Sequence, residues 1–253
     1  MYLFRISFKN SLVYRWSVIF SIVGSVLFIS INLVLWGFLY KDDPKMVSYM
    51  TRYTIVSNII SLCYARGIAQ RIGSKFASGD FVTDLIRPIN LFTMSWEIEL
   101  SSICSVFLTR GLPVILVYLP ALIKNAGYYN IPLVLLAVVM GHVLCLLIYS
   151  FLGFSAFILI EIWPFTFLLD DTIRLLAGGF IPLRILPPFL GVIAYILPFR
   201  FLYSFPLELL FGNADMSNLA ENFGLFLVWI AFFAVLNLAM YRAALKKAVV
   251  QGG

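Results

Sequence analysis

Charged and amide side chains inside long apolar runs are the residues of this sequence best suited to chemistry. Arg110 stands alone in the middle of one run, whereas Asp170, Asp171 and Arg174 lie together in a later run. Asn58 lies in a run that also carries several hydroxyl groups. Ionisable groups are costly in hydrocarbon, and those found there usually serve an ion or substrate pathway. We therefore predict that these five residues contact a route through a membrane.

The alternative for the same charged residues is a purely structural role. Asp170 and Asp171 precede Arg174 by four and three residues, so on a helix they can neutralise it. Arg110 has no acid within four residues and needs a partner from another helix, a carbonyl freed by Pro113, or water. The cluster keeps a surplus negative charge, which Arg110 would cancel if the two segments face each other.

Other familiar chemistry is missing from the sequence. A phosphate-binding P-loop is absent, because Gly67 and Gly73 are one residue too far apart for that motif. The single histidine, His142, excludes a two-histidine zinc protease motif. With one histidine and three cysteines in apolar runs, we predict no metal site and no catalytic residue in this chain.

The composition indicates a membrane protein with many spans. Of the 253 residues, 62% are hydrophobic and 12% are charged, and the mean hydropathy is +0.99. Soluble chains carry about 25% charged residues, and disordered chains are poor in apolar residues. The net charge of +6 is too small to indicate nucleic-acid binding. The length leaves no room for a soluble catalytic domain, so we predict one transmembrane domain over residues 1–253 in contact with the lipid bilayer.

The apolar runs that would position these residues predict an all-α integral membrane protein with six transmembrane helices. A spanning helix needs roughly 20 apolar residues. Residues 1–15 predict an interfacial helix, and residues 71–90 a polar loop. Residues 181–211 contain five of the eleven prolines and predict an outer re-entrant helix pair. The predicted spans are 16–40, 47–69, 91–123, 131–160, 165–180 and 222–241.

The distribution of basic residues favours six spans over seven. With six spans, both termini and the 66–90 loop share one side, which then holds ten basic residues against six on the other side. If residues 181–211 also crossed, the split would be seven to nine. Basic residues accumulate on the cytoplasmic side. Both termini are therefore predicted to be cytoplasmic.

The polar loop carries an apolar stripe that needs a partner. Phe81, Val82, Leu85 and Ile86 fall on one side of a helix of barely two turns, which Pro88 would end. A helix this short is unstable alone. The stripe is therefore expected to dock on another surface.

Several segments, in order, resemble the permease subunits of ABC type-2 transporters, in the branch of small six-span permeases that work with a separate ATPase. They are the basic N-terminal helix, the loop SGDFVTDLIRPIN, the segment GGFIPLRILPP and the segment LPFRFLYSFPLELLFG. The resemblance covers essentially the whole chain. Its most specific pieces are residues 78–90 and 178–212.

The resemblance implies roles and partners that the residues alone do not. The loop would be a cytoplasmic coupling helix that docks on a P-loop ATPase subunit, through Phe81, Val82, Asp84, Leu85 and Arg87. ATP and Mg would be bound by that partner. A second permease copy or a paralogue would complete the pathway, which spans two and five would line. The fifth span is more charged than the family leads us to expect, which leaves room for a polar or cationic head group.

The sequence therefore predicts a transmembrane permease subunit of an ATP-driven exporter in the bacterial inner membrane, itself not an enzyme. The alternative is an ion- or proton-coupled secondary carrier that uses Arg110 and the acidic pair as a relay. Such carriers often show internal repeats and midplane broken helices. We see no repeat, and the broken segment is predicted to lie outside. A membrane scaffold without transport is also open.

Overall fold

The computed structural model describes residues 15–64, 66–79, 91–123, 128–159 and 161–251. All regular structure in these ranges is helical. The helices are α1 (Arg15–Leu39), α2 (Pro44–Ser61), α3 (Gly67–Ser78), α4 (Leu91–Val106), α5 (Leu112–Ile123), α6 (Ile131–Phe154), α7 (Trp163–Leu176), α8 (Pro188–Ile196), α9 (Ser204–Leu210) and α10 (Leu219–Gln251). The predicted interfacial helix at 1–15 lies outside the described residues except for Arg15.

Four helical segments are long and apolar enough to cross a membrane. They are Trp16–Leu39, Met94–Ile123, Ile131–Phe157 and Met216–Ala244. A helix pair, Pro188–Ile196 and Pro198–Leu210, is bent by 77° and would make a fifth if it crosses as one broken span. These segments confirm an all-helical, multi-pass membrane protein, with the first, third, fourth and last spans near the predicted positions. The six-span count and the re-entrant placement stay predictions.

The second predicted span, 47–69, is wrong as a single helix. α2 ends at Ser61, and the amides of Leu62 and Cys63 turn back to carbonyls three residues earlier. Such tightening satisfies carbonyls that a helix end leaves without partners. A separate helix, α3, begins at Gly67 and takes up the first part of the predicted 71–90 loop. Residue 80 and residues 81–90 of that loop lie outside the described residues.

Two further helix boundaries differ from prediction. The fifth predicted span, 165–180, is the 14-residue helix α7, which at 1.5 Å per residue is roughly 21 Å long. That length is short of a hydrocarbon core of about 30 Å. The last predicted span, 222–241, is part of the longer helix α10, Leu219–Gln251. The 3-10 turn Met216–Asn218 precedes this helix and is capped by Asp215, whose carboxylate accepts from the Ser217 amide at 3.0 Å. The hydrogen bond from the Ser217 hydroxyl, and after it the one from the Ser217 amide, lowers the pKa of Asp215.

The third span contains a π-helical turn, Phe107–Gly111, between α4 and α5. Pro113 lies two residues after this turn and has no amide hydrogen to give to the carbonyl four residues earlier, at Thr109. The widened turn includes Thr109, the residue whose carbonyl loses its amide partner. π-Turns of this kind are frequent at functional sites. Arg110 lies within this one.

The chain divides into two compact units, each assembled from three stretches. The first comprises Met1–Cys63, Ser101–Val138 and Ile173–Ala214. Its core includes Ile29, Ile55, Val114 and Tyr118, which come from α1, α2 and α5. The Tyr118 hydroxyl donates to the Val26 carbonyl at 2.8 Å, and the Trp36 indole donates to Thr54 Oγ1 at 2.9 Å. These bonds join α1 to α5 and α2 without leaving polar atoms unsatisfied.

The second unit comprises Tyr64–Leu100, Val139–Thr172 and Asp215–Gly253. Helix α3 packs closely on α6 at Gly153, where an added Cβ would lie 2.9 Å from the Ile72 Cβ. Asn237 of α10 donates to the Leu147 carbonyl of α6 at 2.8 Å. Small residues and side-chain amides are how helices associate in a membrane, where lipid tails compete for apolar contacts. The prediction of one transmembrane domain stays a prediction.

Candidate functional site

One face of α2 is polar and belongs to the first unit. The face carries Thr54, Ser57, Asn58 and Ser61, at positions i, i+3, i+4 and i+7. On a helix this spacing brings the four side chains to one side. Ser61 Oγ donates to the Asn58 carbonyl at 2.6 Å. The face therefore presents hydroxyls and an amide to whatever lies opposite.

The end of α7 lies opposite this face. Gly178 has φ 78°, and the amides of Gly178 and Gly179 bond to the carbonyls of Leu175 and Arg174. This is the Schellman arrangement, in which a glycine in the left-handed region ends a helix. The chain leaves the helix at once, so the carbonyls of Gly178 and Gly179 point away from it and need donors.

Helix α2 supplies both donors. The Tyr53 hydroxyl donates to the Gly178 carbonyl and Ser57 Oγ donates to the Gly179 carbonyl, each at 2.5 Å. Tyr53 and Ser57 are nine and 13 residues beyond the first residue of α2, Pro44, so these bonds lie roughly 14–20 Å along the helix. If α2 begins at the membrane surface, that distance is near the middle of a core about 30 Å thick.

A small open cavity with a free volume of about 20 Å³, room for about one water molecule, lies between the polar face and the turn. It contains two residues that the sequence predicted for a solute route, Asn58 and Arg174. The other residues that line the cavity are Phe28, Thr54, Ser57, Ser61, Gly179, Phe180 and Tyr203. Three cavity residues, Ser57, Ser61 and Thr54, already take part in the hydrogen bonds described above.

Two polar groups in this cavity have unused bonding capacity. The Arg174 guanidinium lies over the Phe28 ring, 5.5 Å from its centroid, and makes no ion pair in the described part of the chain. Asn58 Oδ1 is buried and has no hydrogen-bond partner. A buried polar atom left without a partner costs roughly 1–3 kcal/mol. The Arg174 guanidinium is exposed at this cavity, whereas Asn58 Oδ1 is sealed from solvent.

Arg174 and Asp170 have different partners. Asp170 Oδ1 accepts a hydrogen bond from the Tyr149 hydroxyl in the second unit, and Arg174 contacts Phe28 in the first. Asp171 is exposed. The sequence left open whether these charges neutralise one another along the helix, and the described contacts do not include that pairing. Tyr149, 21 residues before Asp170, could not be found from helical spacing.

Arg110 also lacks an acidic partner among the described residues. Its Nε is buried and makes no hydrogen bond. The π-turn that contains Arg110 belongs to the first unit. Its predicted role in a solute route stays a prediction.

One ion pair occurs in the described part of the chain, and the sequence did not predict it. Arg71 Nη2 lies 2.9 Å from Glu99 Oε1, and the Glu99 side chain is only 5% exposed. An added Cβ on Gly67 would lie 3.1 Å from the same carboxylate, so the glycine allows α3 to approach.

Comparison with known protein families identifies the family of this chain. The profile described as ABC-2 family transporter protein matches residues 42–252. The chain belongs to this family. No match was found among curated proteins. The chain is therefore a membrane transporter permease, as its resemblance predicted. Permeases of this family are the membrane components of a transporter and are not themselves catalytic.

In this ABC-2 permease the predicted docking residues lie outside the described part of the chain. They are Phe81, Val82, Asp84, Leu85 and Arg87. Their assignment stays a prediction carried by the family match, which includes them. Among the described residues, no group of three or more His, Cys, Asp or Glu side chains could hold a metal ion.

Proposed function

We propose that this permease is the transmembrane subunit of an ATP-binding cassette exporter. A separate P-loop ATPase binds ATP and Mg and supplies the energy, and two permease subunits, identical or paralogous, form the pathway. The chain lies in a bacterial inner membrane with both termini cytoplasmic. It crosses the membrane six times, and the bent pair α8–α9 is re-entrant from the outer side.

The family match over residues 42–252 is the observation that carries this proposal. The absent P-loop supports it, because an ATP-driven permease without that motif needs an ATPase partner. The ten-to-six distribution of basic residues supports the orientation. Secondary carriers contain helices that are interrupted near the middle of the membrane. The family match nevertheless favours an ATP-driven exporter over a secondary carrier.

The docking loop provides the test. The permease would be co-expressed with an ATPase encoded beside it and captured through a tag on the permease. Replacing Phe81 and Leu85 by serine removes roughly 1.5–3 kcal/mol of burial per side chain at a docking site. Each substitution should therefore weaken the complex by at least about tenfold, since 1.4 kcal/mol is tenfold.

A matched variant separates docking from folding. Phe81→Leu with Leu85→Met keeps apolar side chains of similar size at both positions and should retain the ATPase. Both variants should elute as monodisperse permease with unchanged Tm. Full retention of the ATPase by the serine double variant would reject the assignment of this loop as the coupling helix. It would also reject the proposal that the ATPase drives transport through this loop.

A further inference from the structure

The nine-residue helix α8 presents an apolar stripe to its surroundings. The stripe lies at positions i, i+3, i+4 and i+7, and its side chains are 45–67% exposed; they are Phe189, Val192, Ile193 and Ile196. This spacing brings the four side chains to one side of the helix, whereas Ala194, off the stripe, is buried. At 1.5 Å per residue the helix is roughly 14 Å long, too short to cross a hydrocarbon core of about 30 Å. In a membrane the stripe therefore contacts lipid chains.

Two arginines flank α8 and are brought back to one place by the fold of the first unit. Arg184 lies four positions before the first residue of the helix, and Arg200 lies four positions after the last. The charges of Arg200 and Arg184 both act on the carboxylate of Glu208 in α9. The same carboxylate accepts a hydrogen bond from the Ser204 hydroxyl at 2.5 Å. Two cations thus lie around one acid, and the group keeps a surplus positive charge.

Aromatic rings hold both guanidinium groups. The Arg184 guanidinium lies over the Tyr49 ring, 4.2 Å from its centroid. The Arg200 guanidinium lies 4.6 Å from the centroid of Phe201 and 5.0 Å from that of Tyr195. A guanidinium carries five N–H donors, and a ring beneath it fixes its plane while its edge can bind a phosphate through two parallel hydrogen bonds. Arg184 is exposed, so its edge is accessible to such a phosphate.

The depth of Tyr49 suits the phosphate layer of a bilayer. Tyr49 is five residues beyond Pro44, the first residue of α2, which is roughly 8 Å along the helix. If α2 begins at the membrane surface, this is where the head groups meet the chains, because a bilayer about 40–45 Å thick has a core of about 30 Å. Tyrosine rings are enriched at this level, and arginine side chains extend towards it. Arg184 on Tyr49 therefore lies within reach of lipid phosphates.

We propose that α8 and its two flanking arginines bind an anionic phospholipid of the surrounding bilayer. Arg184 binds the phosphate, Arg200 adds positive charge beside it, and the acyl chains lie along the apolar stripe. A zwitterionic lipid brings a cation of its own to the surplus positive charge, so it binds more weakly. Apolar contact alone would accept any lipid, whereas charge complementarity selects the anionic one. The binding needs no ATPase, so it goes beyond the proposed exporter and does not depend on it.

Lipid binding to the purified full-length permease tests the proposal. The permease in maltoside micelles would be titrated with dioleoylphosphatidylglycerol or dioleoylphosphatidylcholine, which carry the same chains, and bound lipid would be counted by native mass spectrometry. Phosphatidylglycerol should bind about tenfold more tightly or better, since two basic residues favour the anionic lipid. Added salt in the titration buffer should reduce this preference. Glycerol phosphate, which lacks the chains, should not displace phosphatidylglycerol at equal concentration.

Two variants and one matched control locate the binding. Arg184→Gln and Arg200→Gln should each weaken the binding of phosphatidylglycerol about fivefold, which corresponds to about 1 kcal/mol for a basic residue near an anionic lipid surface. Neither variant should weaken the binding of phosphatidylcholine. Lys41→Gln removes an exposed cation of the same unit, in the turn between α1 and α2, and should leave the preference unchanged.

Each result supports or overturns the proposal. Equal binding of the two lipids by the wild type overturns it, and so do equal losses in Lys41→Gln and the two arginine variants. Displacement by glycerol phosphate would identify a soluble anion as the ligand and reject the lipid. If Arg200→Gln does not fold, Arg184→Gln decides together with Arg200→Lys, which should keep the preference. Because the ATPase is absent, this experiment and the docking experiment fail independently.

Discussion

Replacing Gly178 by alanine tests the turn that shapes the cavity. Gly178 has φ 78°, in the left-handed region, where a Cβ costs roughly 1–2 kcal/mol. The added Cβ would also lie 3.1 Å from the Tyr53 hydroxyl oxygen, 3.2 Å from the Ser204 Cβ and 3.3 Å from the Leu183 Cγ. Each of these contacts is tighter than ordinary van der Waals packing.

Two of these three neighbours are held in place by hydrogen bonds. Tyr53 donates to the carbonyl of Gly178 itself, and the Ser204 amide donates to the Ala177 carbonyl at 2.9 Å. Overpacking of this kind typically costs about 1–3 kcal/mol. With the backbone cost, Gly178→Ala should destabilise the protein by about 2–5 kcal/mol. For a chain of this size, each kcal/mol lowers Tm by roughly 2–4 °C.

Thermal unfolding in neutral detergent, followed by circular dichroism, measures this effect. Gly191→Ala is the matched control, because Gly191 lies inside α8 and its added Cβ would meet nothing within 4 Å. That substitution should stabilise the helix by about 0.5–1 kcal/mol. The two variants should therefore shift Tm in opposite directions. A Gly178→Ala protein as stable as wild type, or as stable as Gly191→Ala, would refute the geometry of the turn.

Two further pairs of variants test single contacts in the same assay. Tyr53→Phe should cost about 0.5–2 kcal/mol, because it leaves the Gly178 carbonyl without a donor, whereas Tyr195→Phe, on a half-exposed ring, should cost nothing measurable. Arg71→Gln should lower the free energy of unfolding by about 1–3 kcal/mol, because it leaves the buried Glu99 carboxylate unpaired. This loss is smaller than the roughly 3–5 kcal/mol expected for a fully buried pair, because the Arg71 side chain reaches solvent. Arg110→Gln should change stability by less than about 1 kcal/mol, since no ion pair is broken in the described structure. An equal loss in both arginine variants would contradict this reasoning.

The sequence by itself was sufficient for the class of protein, four of its spans and its family. Crossing a membrane depends on the apolar length of a local segment, so Trp16–Leu39 and Ile131–Phe157 could be recognised without knowledge of their neighbours. The polar face of α2 was visible for the same reason, because helical spacing alone brings Ser57 and Asn58 to one side. Asn58 and Arg174 were both predicted for the solute route, although nothing in the sequence paired them.

The tertiary structure decided which polar groups meet. The end of α2 at Ser61 and of α7 at Leu176 falls inside runs apolar enough to continue, so hydropathy placed both boundaries too late. Whether Arg174 binds an acid on its own helix or a ring on α1 depends on side chains more than a hundred residues apart. Asp170 and Tyr149, and likewise Glu99 and Arg71, are closer in sequence but lie on different helices, so packing brings these pairs together as well. A charged residue in an apolar run indicates that a partner is needed, but the tertiary structure determines which partner lies within reach. Here the packing leaves the Arg174 guanidinium exposed at the cavity.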